Sequence, residues 1–145
     1  MALLREEDRQ FLIKEFKSLR EPVKLVAFSQ EFECQYCRET RTIAEELSQL
    51  SGSIKLEVFD FVKDAKVAEQ YGVDKVPALA VVRDGAHAKD YGIRFYGIPA
   101  GYEFTSLVED IKMVSQGESG LSAASKTQLA ALTKPLHLQV FVTPT

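Results

Sequence analysis

A chain of 145 residues, 46% of them hydrophobic, can bury one core of its own and falls in the usual size range of a single domain. Its 18 basic and 21 acidic side chains are interspersed and leave a net charge of −3, which excludes the basic stripe that nucleic-acid phosphates require. Two cysteines are too few for a secreted disulfide scaffold, and the longest near-continuous apolar run, residues 76–82, contains Pro77 and is far too short for a membrane span.

Residues 8–19 place Phe11, Leu12, Phe16 and Leu19 near one face of a helix that Pro22 ends. The residues up to position 20 carry Arg5, Glu6, Glu7, Asp8, Arg9, Lys14 and Glu15 and no apolar core of signal-peptide length, so the expected location is the cytoplasm. Val23, Leu25, Val26, Ala27 and Phe28 follow with only Lys24 between them, the pattern of a strand buried on both faces. Next comes Cys34-Gln35-Tyr36-Cys37, at the start of a helix over residues 36–50 marked by Thr40, Ile43, Ala44, Leu47 and Leu50. Ser51-Gly52-Ser53 stops that helix, and Ile54, Leu56 and Val58 alternate as a second strand.

Ala65, Val67, Ala68 and Tyr71 predict a short helix closed by Gly72. After Pro77, residues 78–82 read as a strand, Asp84-Gly85 as a turn and residues 91–96 as a returning strand, together an antiparallel hairpin. Phe104, Leu107, Val108, Ile111 and Val114 form one helical face between Gly101 and Gly117. The aromatic residues Phe11, Phe16, Phe104 and Tyr71 are expected in the core. Residues 1–117 thus hold a complete α/β unit, a mixed sheet of about four strands flanked by helices. Residues 118–145 read as a linker, one or two helical turns from Ser125, and a last strand in which Leu136, Leu138, Val140 and Val142 alternate with more polar neighbours. That strand has no helix after it and offers a surface for self-association.

Two thiols three positions apart close a small ring with little backbone movement, so the Cys34–Cys37 ring can open and close as a working step. A thiolate is the attacking species, and a free thiol is only about 3% ionised at pH 7. Cys34, at or just before the first helical residue, is expected to gain from unpaired backbone N–H groups and the positive helix end. Cys37, placed one turn inside, suits the resolving role. Glu31, Glu33 and Glu39 would raise a nearby thiol pKa and Arg38 would lower it, while Gln35 and Tyr36 tune the helix start and exposure, or serve as ordinary turn residues.

A strand, Cys-x-x-Cys at a helix start, a Val76-Pro77 step before a hairpin and a final helix together resemble the thioredoxin superfamily over residues 23–116. The opening helix, residues 90–101 and the ending at residues 140–145 resemble a narrower group, the glutaredoxin-like protein disulfide oxidoreductases of thermophilic microbes. That resemblance implies a thioredoxin fold with an extra N-terminal helix, Cys34 as nucleophile, Cys37 as resolving thiol, and Val76 with a cis Pro77 as the substrate-pairing segment. It also implies two such units in one chain, with residues 118–145 ending in the first strand of a second, truncated unit. Where thioredoxin itself has a buried acid late in the first strand, this chain has Phe28, so proton transfer to Cys37 takes another route, through Glu31, Glu33 or water.

The function expected is thiol–disulfide exchange on protein disulfides or dithiols, with a flavoprotein thioredoxin reductase as a further partner. Two other readings stand beside it: a docking module that binds peptides at the Pro77 groove with an incidental disulfide, and an electron relay between a flavoprotein reductase and a peroxidase. A zinc site needs about four ligands. His87 and His137 lie far from the cysteines in sequence, so no metal and no cofactor is expected, although a cluster shared between two molecules stays open for a glutaredoxin-like fold.

Overall fold

Helix α1 (Glu6–Glu15) runs into a 3₁₀ turn (Phe16–Ser18) and then into strand β1 (Val23–Ser29). The computed structural model describes residues 2–143. Helix α2 (Cys37–Gln49), strand β2 (Ile54–Asp60), helix α3 (Ala65–Gln70), strands β3 (Ala78–Arg83) and β4 (Lys89–Tyr96), and helices α4 (Tyr102–Gln116) and α5 (Ala123–Ala130) complete the order. The sheet is ordered β2-β1-β3-β4, with β1 parallel to β2 and antiparallel to β3, and β3 antiparallel to β4. It is the thioredoxin fold that the sequence predicts, N-terminal helix included. The returning strand starts two residues earlier than its apolar pattern, at Lys89, because Lys89 pairs with Arg83 beyond a register shift.

A central strand is buried on both faces, and β1 sorts its side chains accordingly. Val23, Leu25 and Ala27 join one cluster with Leu12, Phe16, Leu47, Leu79, Leu107 and Ile111, so α1, α2 and α4 cover that face. Val26 and Phe28 join the other with Ala68, Ala78, Ala80 and Val82, beneath the short helix α3. Each fully buried leucine or isoleucine contributes about 1.5–3 kcal/mol. The edge of the second face is closed by Arg94, which donates to both carboxylate oxygens of Asp90 (2.9 and 2.6 Å) and to the Tyr71 carbonyl (3.0 Å). That hydrogen-bonded guanidinium holds the Asp90 carboxyl below the usual carboxylate range.

One core expectation fails. Phe11 is 61% exposed, whereas Leu12 and Phe16 are buried at 4% and 2%. Adjacent residues on a helix point about 100° apart, and the face chosen by Leu12 and Phe16 leaves Phe11 outside. Phe104 and Tyr71 pack, partly buried, against the two clusters.

Two polar anchors fix the helices. Buried Glu46 on α2 accepts hydrogen bonds from the Leu3 and Leu4 amides and from Arg9, which ties the N-terminal segment down. Ser115 on α4 is fully buried, accepts from the Arg20 and Glu21 amides (2.9 and 3.1 Å) and donates to the Glu21 carbonyl (2.7 Å). Ser115→Ala strands two amides and a carbonyl, and is expected to cost about 1–3 kcal/mol in urea unfolding. A loss under about 0.5 kcal/mol would show that water replaces the hydroxyl. Helix α4 is capped by Gly117 with φ 72°, a left-handed position that favours glycine, and a Cβ there would push aside the Arg83 guanidinium.

The terminal strand expected at residues 136–142 has no ladder partner among the described residues, and Leu136, Leu138, Val140, Phe141 and Val142 are exposed. Alternation supplies the faces of a strand, but a neighbour must supply its hydrogen bonds. Helix α5 forms as expected, two residues earlier, because the Ser122 hydroxyl caps it by accepting from the Ser125 amide. Residues 144 and 145, which end the predicted strand segment, lie outside the described residues.

Candidate active site

The parallel strands β1 and β2 end at the same edge of the sheet, and the Ser29 carbonyl is held there by the Phe61 amide at 2.8 Å. The chain then turns through residues 30–36 into α2, with Cys34 on that turn and Cys37 at its end. Cys34 and Cys37 are joined by a disulfide with their Cα atoms 5.5 Å apart. Cys37 is the first residue of α2 and is 3% exposed, while Cys34 precedes the helix and is half-buried.

This corrects one detail of the sequence reading: Cys34 stands three residues before the first helical residue, and Cys37 opens the helix instead of lying one turn inside it. Two turn residues, Gln35 and Tyr36, come between the cysteines, and Tyr36 is the N-cap, without a side-chain capping bond. Helix-end effects fade within a turn. The two sulfurs are bonded to one another, so both lie at the N-terminal end of α2, where unpaired N–H groups favour negative charge.

Gln30 organises the turn, and sequence reasoning missed it. Its backbone N–H donates to Cys37 Sγ at 3.4 Å, and its side-chain Nε2 donates to the carbonyls of Phe32 (2.7 Å) and Glu33 (3.4 Å). Glu33 sits at φ 55°, a left-handed conformation rare for a residue with a Cβ. Its carboxylate and that of Glu31 are exposed, as is Arg38 on the first turn of α2. The Gln35 amide donates to the Tyr36 hydroxyl at 3.3 Å. Glu39 keeps one carboxylate oxygen buried without a hydrogen-bond partner among the described residues, but lies about 200° around the helix from Cys37.

The Val76-Pro77 peptide is cis. Phe28 pairs with Ala78, so continuing the antiparallel register sets Pro77 beside Ser29, at the edge from which the cysteine turn departs. The Gly97 amide donates to the Pro77 carbonyl (3.0 Å), and the Thr40 hydroxyl on α2 donates to the Gly97 carbonyl (3.4 Å). This chain of bonds ties the helix carrying Cys37 to the Pro77 segment. Val76 makes no main-chain hydrogen bond among the described residues. Thr40 was legible only as a polar residue on an apolar stripe; nothing in the sequence marked its partner Gly97.

Among the described residues no three His, Cys, Asp or Glu side chains gather as a metal site, and no helix is long and apolar enough to cross a membrane. His87 is exposed and lies 3.2 Å from Glu21, on the hairpin turn, and His137 is on the exposed terminal segment.

An outer and an inner sulfur at disulfide distance, carried between a central strand and a helix of this fold, form the Cys-x-x-Cys pair of a thioredoxin-type redox domain. The chain belongs to the thioredoxin family, whose model, described as Thioredoxin, matches residues 8–94. No curated protein sequence matches it. Among solved structures it is similar to a protein disulfide oxidoreductase from Aeropyrum pernix K1, with 28% identity and a TM-score of 0.79 over 91% of this chain and 56% of that one. It is equally similar, at 28% identity and a TM-score of 0.78, to the NTD_N/C domain of alkylhydroperoxide reductase AhpF from Enterococcus faecalis V583, over 90% of this chain and 62% of that one. Fasciola hepatica thioredoxin shares the fold at 24% identity and a TM-score of 0.51, over 74% of this chain and 92% of that one. The chain thus spans little more than half the length of the first two structures.

Proposed function

We propose that the protein exchanges disulfides with protein substrates, Cys34 attacking and Cys37 resolving. The observation that carries this reading is the asymmetry of the pair: Cys34 is within reach of a partner, and Cys37 is 3% exposed with a backbone N–H on its sulfur. In the reductive direction, Cys34 thiolate attacks a substrate disulfide, forms a mixed disulfide and expels one substrate thiolate. Cys37 thiolate then attacks Cys34 Sγ, the bond from Cys34 to substrate breaks, and the second substrate thiolate leaves. Two electrons pass to the substrate, the Cys34–Cys37 disulfide forms, and the protons lost by the two cysteines go through water to the substrate thiolates. The reverse sequence oxidises a dithiol.

Protein substrates are favoured by the surroundings of Cys34. Phe32 and Tyr36 are 75% and 38% exposed beside it, and Val76 leaves main-chain groups open for an extended peptide. We place the activity in the cytoplasm. The working unit is residues 1–117, which hold the whole sheet and the Cys34–Cys37 pair. Likeness to the alkylhydroperoxide reductase domain favours a second reading, an electron relay fed by a flavoprotein such as thioredoxin reductase and drained by a peroxidase.

Insulin reduction with dithiothreitol as the electron source tests the protein-substrate reading. Catalytic amounts of this chain are expected to speed precipitation of the freed B chain at least about tenfold over dithiothreitol alone. No acceleration, with exchange of small aromatic disulfides intact, would overturn the protein-substrate reading and leave the relay.

A further inference from the structure

Between the end of β1 and the turn at Gln35 and Tyr36 that opens α2, residues 30–34 have no regular hydrogen-bonded structure, and residues 31–33 are exposed. Nothing in residues 30–34 fixes how Cys34 enters that turn unless a side chain does so. Gln30 is the one residue of the turn that reaches across it, bonding the carbonyls of Phe32 and Glu33 with its amide while its own N–H meets Cys37 Sγ. Those two carbonyls bracket Glu33, whose φ of 55° an L residue adopts at a penalty of roughly tenfold in population. The next residue is Cys34.

We infer that Gln30 is a positioning residue for the resolving step: its side chain holds Glu33 left-handed so that Cys34 and Cys37 face one another, and its N–H stabilises the Cys37 thiolate that attacks Cys34. This rests on dithiol exchange at the pair but not on any particular substrate. A hydrogen bond to the charged form of a thiol favours that form. The attack itself needs the two sulfurs aligned, so a loosened turn slows resolution more than capture, because capture requires only an accessible Cys34.

The test uses the full chain, reduced, and the small disulfide 5,5′-dithiobis(2-nitrobenzoate). Attack by Cys34 releases one thionitrobenzoate and leaves a mixed disulfide; attack by Cys37 on Cys34 releases the second. In Gln30→Met, which keeps the size of the side chain but has no donor, the first release is expected within about twofold of the parent and the second roughly tenfold slower. Glycine adopts the left-handed conformation freely, so adding Glu33→Gly is expected to bring the second release back to within about threefold of the parent. Gln30→Glu, which replaces the donor by an acceptor at pH 7, is expected to behave as Gln30→Met does and serves if that variant does not fold.

A second release unchanged in these variants overturns the inference. So does equal slowing of both releases, or a slowing that Glu33→Gly leaves uncorrected, since each marks a merely structural role. A parent protein that reacts with neither thiol would instead overturn dithiol exchange itself.

Discussion

Cys37→Ser is expected to turn the protein into a trap, and Cys34→Ser to silence it. With serine at 37 the mixed disulfide on Cys34 has no internal thiol to displace the substrate, so covalent adducts accumulate and disappear on adding dithiothreitol. With serine at 34 the one remaining thiol is 3% exposed, and exchange with substrate is expected to fall at least about a hundredfold. The contrast separates an enzyme from a peptide-docking module, which would bind equally well in both variants and form no adducts. Equal trapping by the two variants would mean that both sulfurs are reachable and would end the assignment of separate roles. The rate of adduct formation by Cys37→Ser is also expected to rise with pH as Cys34 ionises, and to level off above its pKa.

The parts of this site that sequence reveals are those written in local patterns. An apolar run with one interruption gave β1 its two-sided burial, and the Cys34-Gln35-Tyr36-Cys37 spacing marked a closable ring before any coordinates were needed. Helical spacing of Thr40, Ile43, Ala44 and Leu47 located α2, but not its first residue. Boundaries shift because turn residues such as Gln35 and Tyr36 are compatible with either state. The cis state of Val76-Pro77 came from likeness to a family and not from composition, since only about 5% of X–Pro bonds in folded proteins are cis.

What sequence withheld depends on partners far away or on bonds with no period. Gln30 sits in a polar run, and neither its spacing nor its neighbours announce that its amide reaches two carbonyls farther on. Phe11 and Phe16 point about 140° apart on a helix, and only the packing of that helix on the rest of the fold decides which of them is covered. The alternation at residues 136–142 is equally plain, but pairing is a relation between two segments, and one segment cannot reveal it.

Phe28→Ala is expected to be the most damaging core change, costing about 3–5 kcal/mol. The ring is 1% exposed, stacks on Phe59 at 5.8 Å between centroids and meets Tyr71 edge-on at 5.8 Å. Its neighbours in this cluster include Ala68, Ala78 and Ala80, and two of these are fixed in β3, so on that side no longer side chain can swing into the cavity. Set against a total stability of about 5–15 kcal/mol for a domain, that is a large share. The consequence reaches the redox turn, because Phe28 is followed by Ser29, whose carbonyl anchors Phe61, and then by Gln30, whose N–H meets Cys37. Phe28→Leu keeps most of the volume and is expected to cost less than about 1.5 kcal/mol. Urea unfolding of the two variants checks the difference. A loss below about 1 kcal/mol in Phe28→Ala would mean that α3 collapses onto the gap, and that the second face of the sheet is more compliant than its packing around the aromatic ring indicates.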